Sequence, residues 1–139
     1  MLGVALVALL LVSAYATELT RYFVHAVAES PLALPTNVDI RYSDRLIALI
    51  GAGALGGRAQ AVTLGHVIVV PTQFEYLSQR QKRRIIRHEL AHVQQRTQYG
   101  RLYLPVYGFQ YVLNGYWNHP LERQARARER SYRGTRLGP

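Results

Sequence analysis

Five consecutive residues, His88-Glu89-Leu90-Ala91-His92, constrain the fold of this chain more than any other stretch. They lie inside a segment whose pattern predicts a helix from about Gln79 to Tyr99. Residues four apart on a helix sit one above the other on the same face, so His88 and His92 can turn both imidazoles toward one ion. Glu89 is one step round from His88, within reach of a water on that ion. Two neutral imidazoles as ligands and a carboxylate as general base form the arrangement used in zinc-dependent peptide hydrolysis. The competing reading is two surface histidines and a solvated glutamate in register by chance, so context has to decide. The related pattern H-E-x-x-H-x-x-G-x-x-H needs glycine at 95 and histidine at 98. The chain has Gln95 and Gln98, which excludes it.

Composition narrows the chemistry. There is no cysteine among the 139 residues, so disulfides and thiolate metal sites are excluded and any metal must be held by nitrogen and oxygen. Apolar residues make up 49% and charged residues 18%, which suits one folded domain rather than a solvated tail. The formal net charge is +9, and it is clustered. Arg80, Lys82, Arg83, Arg84 and Arg87 crowd the start of the motif helix, where cations oppose the macrodipole. Arg123, Arg126, Arg128, Arg130, Arg133 and Arg136 fill the C-terminal end. Such clusters suit an anionic membrane surface, nucleic acid or an acidic substrate, or are a solvated face. No nucleic-acid-binding motif accompanies them.

Residues 2–16 are almost wholly apolar, but shorter than the roughly 20 residues of a comfortable membrane helix. Ala14-Tyr15-Ala16 resembles a signal-peptidase site, yet no Lys or Arg precedes the apolar run. Residues 1–30 are therefore expected as an apolar helical unit: a membrane anchor, a signal-like segment or a buried helix. Membrane association through residues 1–16 is the expected localisation, with an exported or cytoplasmic chain as alternatives. Ser30-Pro31 to Pro35-Thr36 reads as a linker. A domain is expected over residues 34–132, followed by a basic tail over 133–139.

Within that domain, Val38 to Tyr42 alternates as a short strand, and Ser43 or Asp44 can cap a helix through Leu46, Ile47, Leu49 and Ile50. Gly51-Ala52-Gly53-Ala54-Leu55-Gly56 matches G-x-G-x-x-G, but no acid stands about twenty residues on and a strand-like run follows, so a helix end and loop is the better reading. Ala61 to Leu64 and Val67 to Val70 flank Gly65-His66 as a tight hairpin, with His66 expected exposed at its turn. Ile86, Leu90, Val93 and Thr97 give the motif helix a core-facing stripe, and Gly100 suits its C-terminal cap. Tyr103, Tyr107 and Tyr111 recur at helical spacing in an apolar run. Core packing is the plain reading of them; a hydrogen bond to an oxyanion is the alternative.

Pro120 suits the first turn of a last helix. Glu122 there either complements the helix dipole or supplies a third metal ligand, thirty residues beyond His92. Glu129 and His119 are reserve ligands.

The span from about Leu34 to Glu129 resembles the small gluzincin-like metallopeptidase domains, including that of extracellular contractile injection system core proteins. The resemblance runs through Leu34-Pro35, the stretches Arg58 to Gly65 and Val67 to Val70, Ile86 to Gln95, and His119-Pro120-Leu121-Glu122-Arg123-Gln124-Ala125. It implies an α+β, zincin-like domain: a small mixed sheet and hairpin on the H-E-x-x-H helix, closed by a C-terminal ligand helix. It further implies Zn2+ at His88, His92 and Glu122, Glu89 as catalytic base, and a peptide or protein substrate. A zinc metallopeptidase is the expected function. The alternatives are a zinc-stabilised interaction module at a membrane surface and a basic nucleic-acid-associated protein.

Overall fold

The computed structural model describes residues 1–54 and 61–131. Its elements are α1 (Leu2–Phe23), β1 (Asp39–Tyr42), α2 (Asp44–Ala54), β2 (Val62–Leu64), β3 (Val67–Val70), α3 (Gln79–Tyr99), α4 (Tyr103–Asn114) and α5 (Pro120–Ser131). Short 3-10 turns cover Thr72–Tyr76 and Gly100–Leu102. The fold is α+β, as expected, with a three-stranded mixed sheet in the order β1-β3-β2. β1 runs parallel to β3 with Ile40 opposite Ile68, and β2 runs antiparallel to β3 with Thr63 opposite the same residue. The central strand is Val67-Ile68-Val69-Val70, an unbroken apolar run with every residue fully buried, as a strand covered on both faces requires. β2 is an edge among the described strands.

The core gathers Ile40, Ile68 and Val70 from the sheet, Phe74 from the first 3-10 turn, and Ile85, Ile86 and Val93 from α3. Leu90 packs against this cluster, whereas Thr97 is exposed, so the expected stripe on α3 ends one turn early. A capping box starts α3: Ser78 Oγ accepts from the Gln81 backbone N–H, and Gln81 Oε1 accepts from the Ser78 N–H. Gly100 ends it with φ 57°, a left-handed value that suits glycine. Ser43 Oγ accepts from the Leu46 N–H at the start of α2, so Ser43 caps that helix. Residues 55 and 56 of the glycine pattern at 51–56, and the basic tail at 133–139, lie outside the described residues.

The segment expected as a linker is part of the packing. Leu32 and Leu34 lie against the core, and just ahead of the segment Ala28 N–H donates to Ile40 O at 2.8 Å and Tyr42 N–H to Ala26 O at 2.7 Å. The prolines mark irregular backbone there, and the leucines between them still find apolar cover.

α1 is built inside out. Its buried residues are Ser13, Ala16, Thr17 and Thr20, a small and mostly polar stripe at helical spacing. Ser13 Oγ donates to Gly100 O, Thr17 Oγ1 accepts from the His66 N–H at 2.9 Å, and Arg21 pairs with Asp39 at 2.6 Å. Leu6, Val7, Leu11 and Val12 face outward. His66, expected exposed, is instead partly covered between Thr17 and Arg96. On α4 the expected stripe faces inward, with Tyr103 buried and Tyr107 and Tyr111 half-buried, while Phe109, Val112 and Leu113 on the rest of the helix are exposed.

Candidate metal centre

The site is made where α5 packs on α3. α3 presents His88, Glu89 and His92, and the first turn of α5 presents Glu122; of these, Glu89, His92 and Glu122 are buried. Ala125, one turn beyond Glu122, is fully buried, so the same face of α5 that carries the glutamate seats the helix. One ligand atom each from His88, His92 and Glu122 lies within 4.8 Å of the others. His88 Nε2 is 3.3 Å from His92 Nε2 and 3.2 Å from Glu122 Oε2, and His92 Nε2 is 3.2 Å from Glu122 Oε1.

Those separations test whether a metal fits. Ligands at about 2.05 Å from a tetrahedral zinc are about 3.3 Å apart, which is the spacing found. The outer nitrogens of the two rings are also accounted for. His92 Nδ1 is 2.9 Å from Gln95 Oε1, and Gln95 Nε2 donates to Leu121 O at 2.9 Å and to Gln124 Oε1 at 2.8 Å. With its amide group so oriented, Gln95 can only accept from His92, which places the proton on Nδ1 and leaves the Nε2 lone pair facing inward. His88 Nδ1 is 3.4 Å from Glu129 Oε2, whose other oxygen pairs with Arg84 Nε at 2.9 Å. Two imidazole lone pairs and a carboxylate then converge on one point, and that donor set is satisfied by a cation.

Without a cation a proton takes its place. Burial alone would lower the His92 pKa, but its hydrogen bond to Glu122 and the charges of Glu89 and Glu122 raise it from 6.5 to about 9. Burial likewise works to raise Glu122, yet the hydrogen bonds from His88 and His92, the His92 charge and the Tyr107 hydroxyl hold it far below the usual carboxylate range. Tyr107 donates to Glu122 Oε1 at 2.7 Å, and the Tyr103 hydroxyl lies 3.3 Å from His92 Nδ1. Burial, then the nearby Glu89 and Glu122 charges, push Tyr103 upward, and burial and Glu122 do the same to Tyr107, so both keep their protons.

Glu89 is held from the sheet edge and lies close enough for its charge to act on His92. Thr63 on β2 donates to Glu89 Oε2 at 2.6 Å and also lies 3.2 Å from the Glu89 carbonyl. The reserve ligand His119 is committed elsewhere: Nε2 donates to Tyr107 O at 2.8 Å, Nδ1 accepts from the Leu121 N–H, and burial lowers its pKa. Glu129 reaches the back of His88 rather than the shared point. The sequence reasoning missed Gln95 and Thr63. Gln95 carried one signal, its place three residues after His92 on the same helical face.

The fold and this cluster define a small α+β domain with a His, His, Glu group able to hold a metal ion. Residues 51–100 match the eCIS core domain family. The match takes in the β2–β3 hairpin and all of α3 with its H-E-x-x-H, and stops before α4, α5 and Glu122. Comparison with curated proteins and with solved structures gives no match.

Proposed function

We propose that the chain is a zinc-dependent metallopeptidase acting by water-mediated hydrolysis, with His88, His92 and Glu122 as ligands and Glu89 as general base. The supporting observation is the convergence of both Nε2 atoms and the two Glu122 carboxylate oxygens at 3.2–3.3 Å, with Gln95 behind His92, Glu129 behind His88 and a separate carboxylate one residue from His88. Zinc held there by His88, His92 and Glu122 would supply a Lewis acid for the scissile carbonyl and would acidify a water. Glu89 would then serve as the base that accepts the water proton and returns it to the leaving amine. Thr63 occupies Glu89 Oε2 and leaves Oε1 to do this. Tyr107 likewise occupies Glu122 Oε1 and leaves Oε2 toward His88. An extended peptide adding to the β2 edge would pass the strand whose Thr63 touches Glu89, which makes strand addition the natural binding mode.

The test is metal content of the purified chain beside a His92→Ala control, followed by cleavage of a peptide library by the wild type and Glu89→Gln. One zinc per chain, lost in the control, together with cleavage lost in Glu89→Gln, supports the reading. Cleavage retained by Glu89→Gln would falsify it. A second reading is a zinc-stabilised, non-catalytic module at a membrane surface, favoured by the burial of Glu89 at 6% exposure. It predicts zinc in the wild type and no cleavage of any library member. In either reading α1, 22 residues long with an 18-residue stretch of mean hydropathy 2.0, is the membrane-associated element.

A further inference from the structure

α1 and α4 pack against each other, and both turn large apolar side chains outward. On α1 the docked stripe is Ser13, Ala16, Thr17 and Thr20, so these three hydroxyls are spent on the domain. The stretch Leu2 to Val12 carries no charge and reaches past the docked half, about 16 Å of helix, or one leaflet of a bilayer core about 30 Å thick. On α4, Phe109, Val112 and Leu113 are exposed at the end remote from Tyr103, and Trp117 follows at 73% exposure. An exposed apolar patch spread over two adjacent helices is uncommon on a water-soluble monomer and marks a contact surface.

The border of this patch indicates what covers it. The Arg126 guanidinium lies 5.7 Å from the Trp117 ring centre and 5.9 Å from that of Tyr116, and its NH2 donates to Trp117 O. Among the described residues its Nη1 is buried with no partner. An open depression of about 810 Å³ lies here, lined by Trp117, Arg123 and Arg126 among others. Aromatic rings and arginines bordering an apolar surface match the headgroup region of an anionic bilayer. A second copy of the chain, itself carrying +9, would bring like charges together at the same border.

We infer that α1 and the far end of α4 enter one leaflet of an anionic bilayer side by side, with Trp117, Arg123 and Arg126 at the headgroups. Tyr103 and Tyr107 at the near end of the same α4 touch His92 and Glu122, so the metal cluster is held just above the lipid. α1 is then a docked wedge rather than a tether, and the polypeptide that reaches the site is a segment lying next to the membrane. The statement about substrate rests on the hydrolase reading; the insertion does not, and its readouts need no metal.

Trp117 is the only tryptophan, so the full chain carries its own probe. The chain is reconstituted into phosphatidylcholine vesicles with and without phosphatidylglycerol, and Trp117 emission is followed with acrylamide and with lipids brominated along the acyl chain. The expected result is emission shifted to shorter wavelength, protection from acrylamide, and quenching strongest for bromines near the headgroup. Arg123→Gln should cut the preference for phosphatidylglycerol about fivefold, the equivalent of the ~1 kcal/mol carried by one arginine at such a surface. Val112→Glu with Leu113→Glu, both at exposed positions, should restore acrylamide access while α1 still holds the chain on vesicles. Vesicle-bound chain with Trp117 as open to acrylamide as in detergent would overturn the proposal and leave α1 as a lone anchor. No vesicle binding would overturn it together with membrane association. Trp117 shielded without lipid in a cross-linkable dimer would assign the patch to a second copy and overturn it equally.

Discussion

Gln95 Oε1 lies 2.9 Å from His92 Nδ1, and the same glutamine donates to Leu121 O and Gln124 Oε1 across the α3–α5 boundary. One side chain therefore fixes the tautomer of His92 and holds the helix that carries Glu122. Gln95→Leu, similar in size and without polar atoms, should weaken zinc binding about 10- to 100-fold, the usual loss when the partner behind a ligating histidine is removed. Chelator competition measures it. Unchanged affinity would reduce Gln95 to a packing residue.

Thr63 and Glu89 make a separable pair, because neither supplies the shared point between His88, His92 and Glu122. Glu89→Gln should keep zinc and lose about 10²–10⁴-fold in turnover, the range of a general base. Thr63→Val removes the 2.6 Å donor to Oε2, together with the 3.2 Å contact to the Glu89 carbonyl, and should lower kcat by less, with KM little changed. A Thr63→Val variant that loses zinc instead would place the threonine in the metal site and overturn its role toward Glu89.

Glu122 and Glu129 are ranked by position. Glu122 faces both Nε2 atoms, whereas Glu129 stands behind His88 at Nδ1. Glu122→Ala should reduce zinc affinity more than about 100-fold, and Glu129→Ala about tenfold. Isothermal titration of the two variants gives the order; the reverse order would exchange their roles.

The two parts of this site were not equally readable. Local periodicity gave α3 from Gln79 to Tyr99 and the hairpin around Gly65, since both follow from residues close in the chain. Pro120 announced α5, and Glu122 stood out as an acid in its first turn. Thr63 with Glu89, and Gln95 with Gln124, are contacts between residues more than twenty apart, and a threonine or glutamine carries no pattern that foretells them. α1 hid its buried face for a different reason. Its hydrophobicity is evident, but a helix normally buries its apolar face, and here Ser13, Thr17 and Thr20 are the buried side. Tyr103 and Tyr107 looked like core residues because a hydroxyl's partner is set by a fold not visible in the helix's own spacing.

Acidity separates the metal-free and metal-bound forms. Without metal, the His92 pKa is raised from 6.5 to about 9 in the folded chain, so its ion pair with Glu122 stabilises fully below 6.5 and is lost as pH rises through about 9. Glu122 is depressed, so its contribution is present above its unfolded value of 4.5 and is lost as pH falls below that. The metal-free Tm should therefore decline between pH 6.5 and about 9. Zinc affinity should rise over the same range, because a proton must leave before the metal enters. Melting curves with and without zinc, and calorimetry in buffers of different ionisation enthalpy, test both. A metal-free Tm flat across this range would show that His92 is already neutral.

The docking of α1 onto the hairpin turns on Gly65. Its φ of 65° suits glycine, and a Cβ there would collide with Thr17 Oγ1 and come within 2.7 Å of the Thr17 backbone nitrogen. Gly115 has a similar φ of 69° but open space around it. The two alanine substitutions share the backbone strain and differ in the collision. Gly115→Ala should cost about 1 kcal/mol, the lower end for a strained backbone position. Gly65→Ala should cost more, and should open the chain between Phe23 and Ser30 to protease as α1 lifts from the hairpin. Equal losses, with no new cleavage in Gly65→Ala, would mean that α1 is held by Ser13 and Arg21 alone and that the Thr17 contact contributes nothing to its docking.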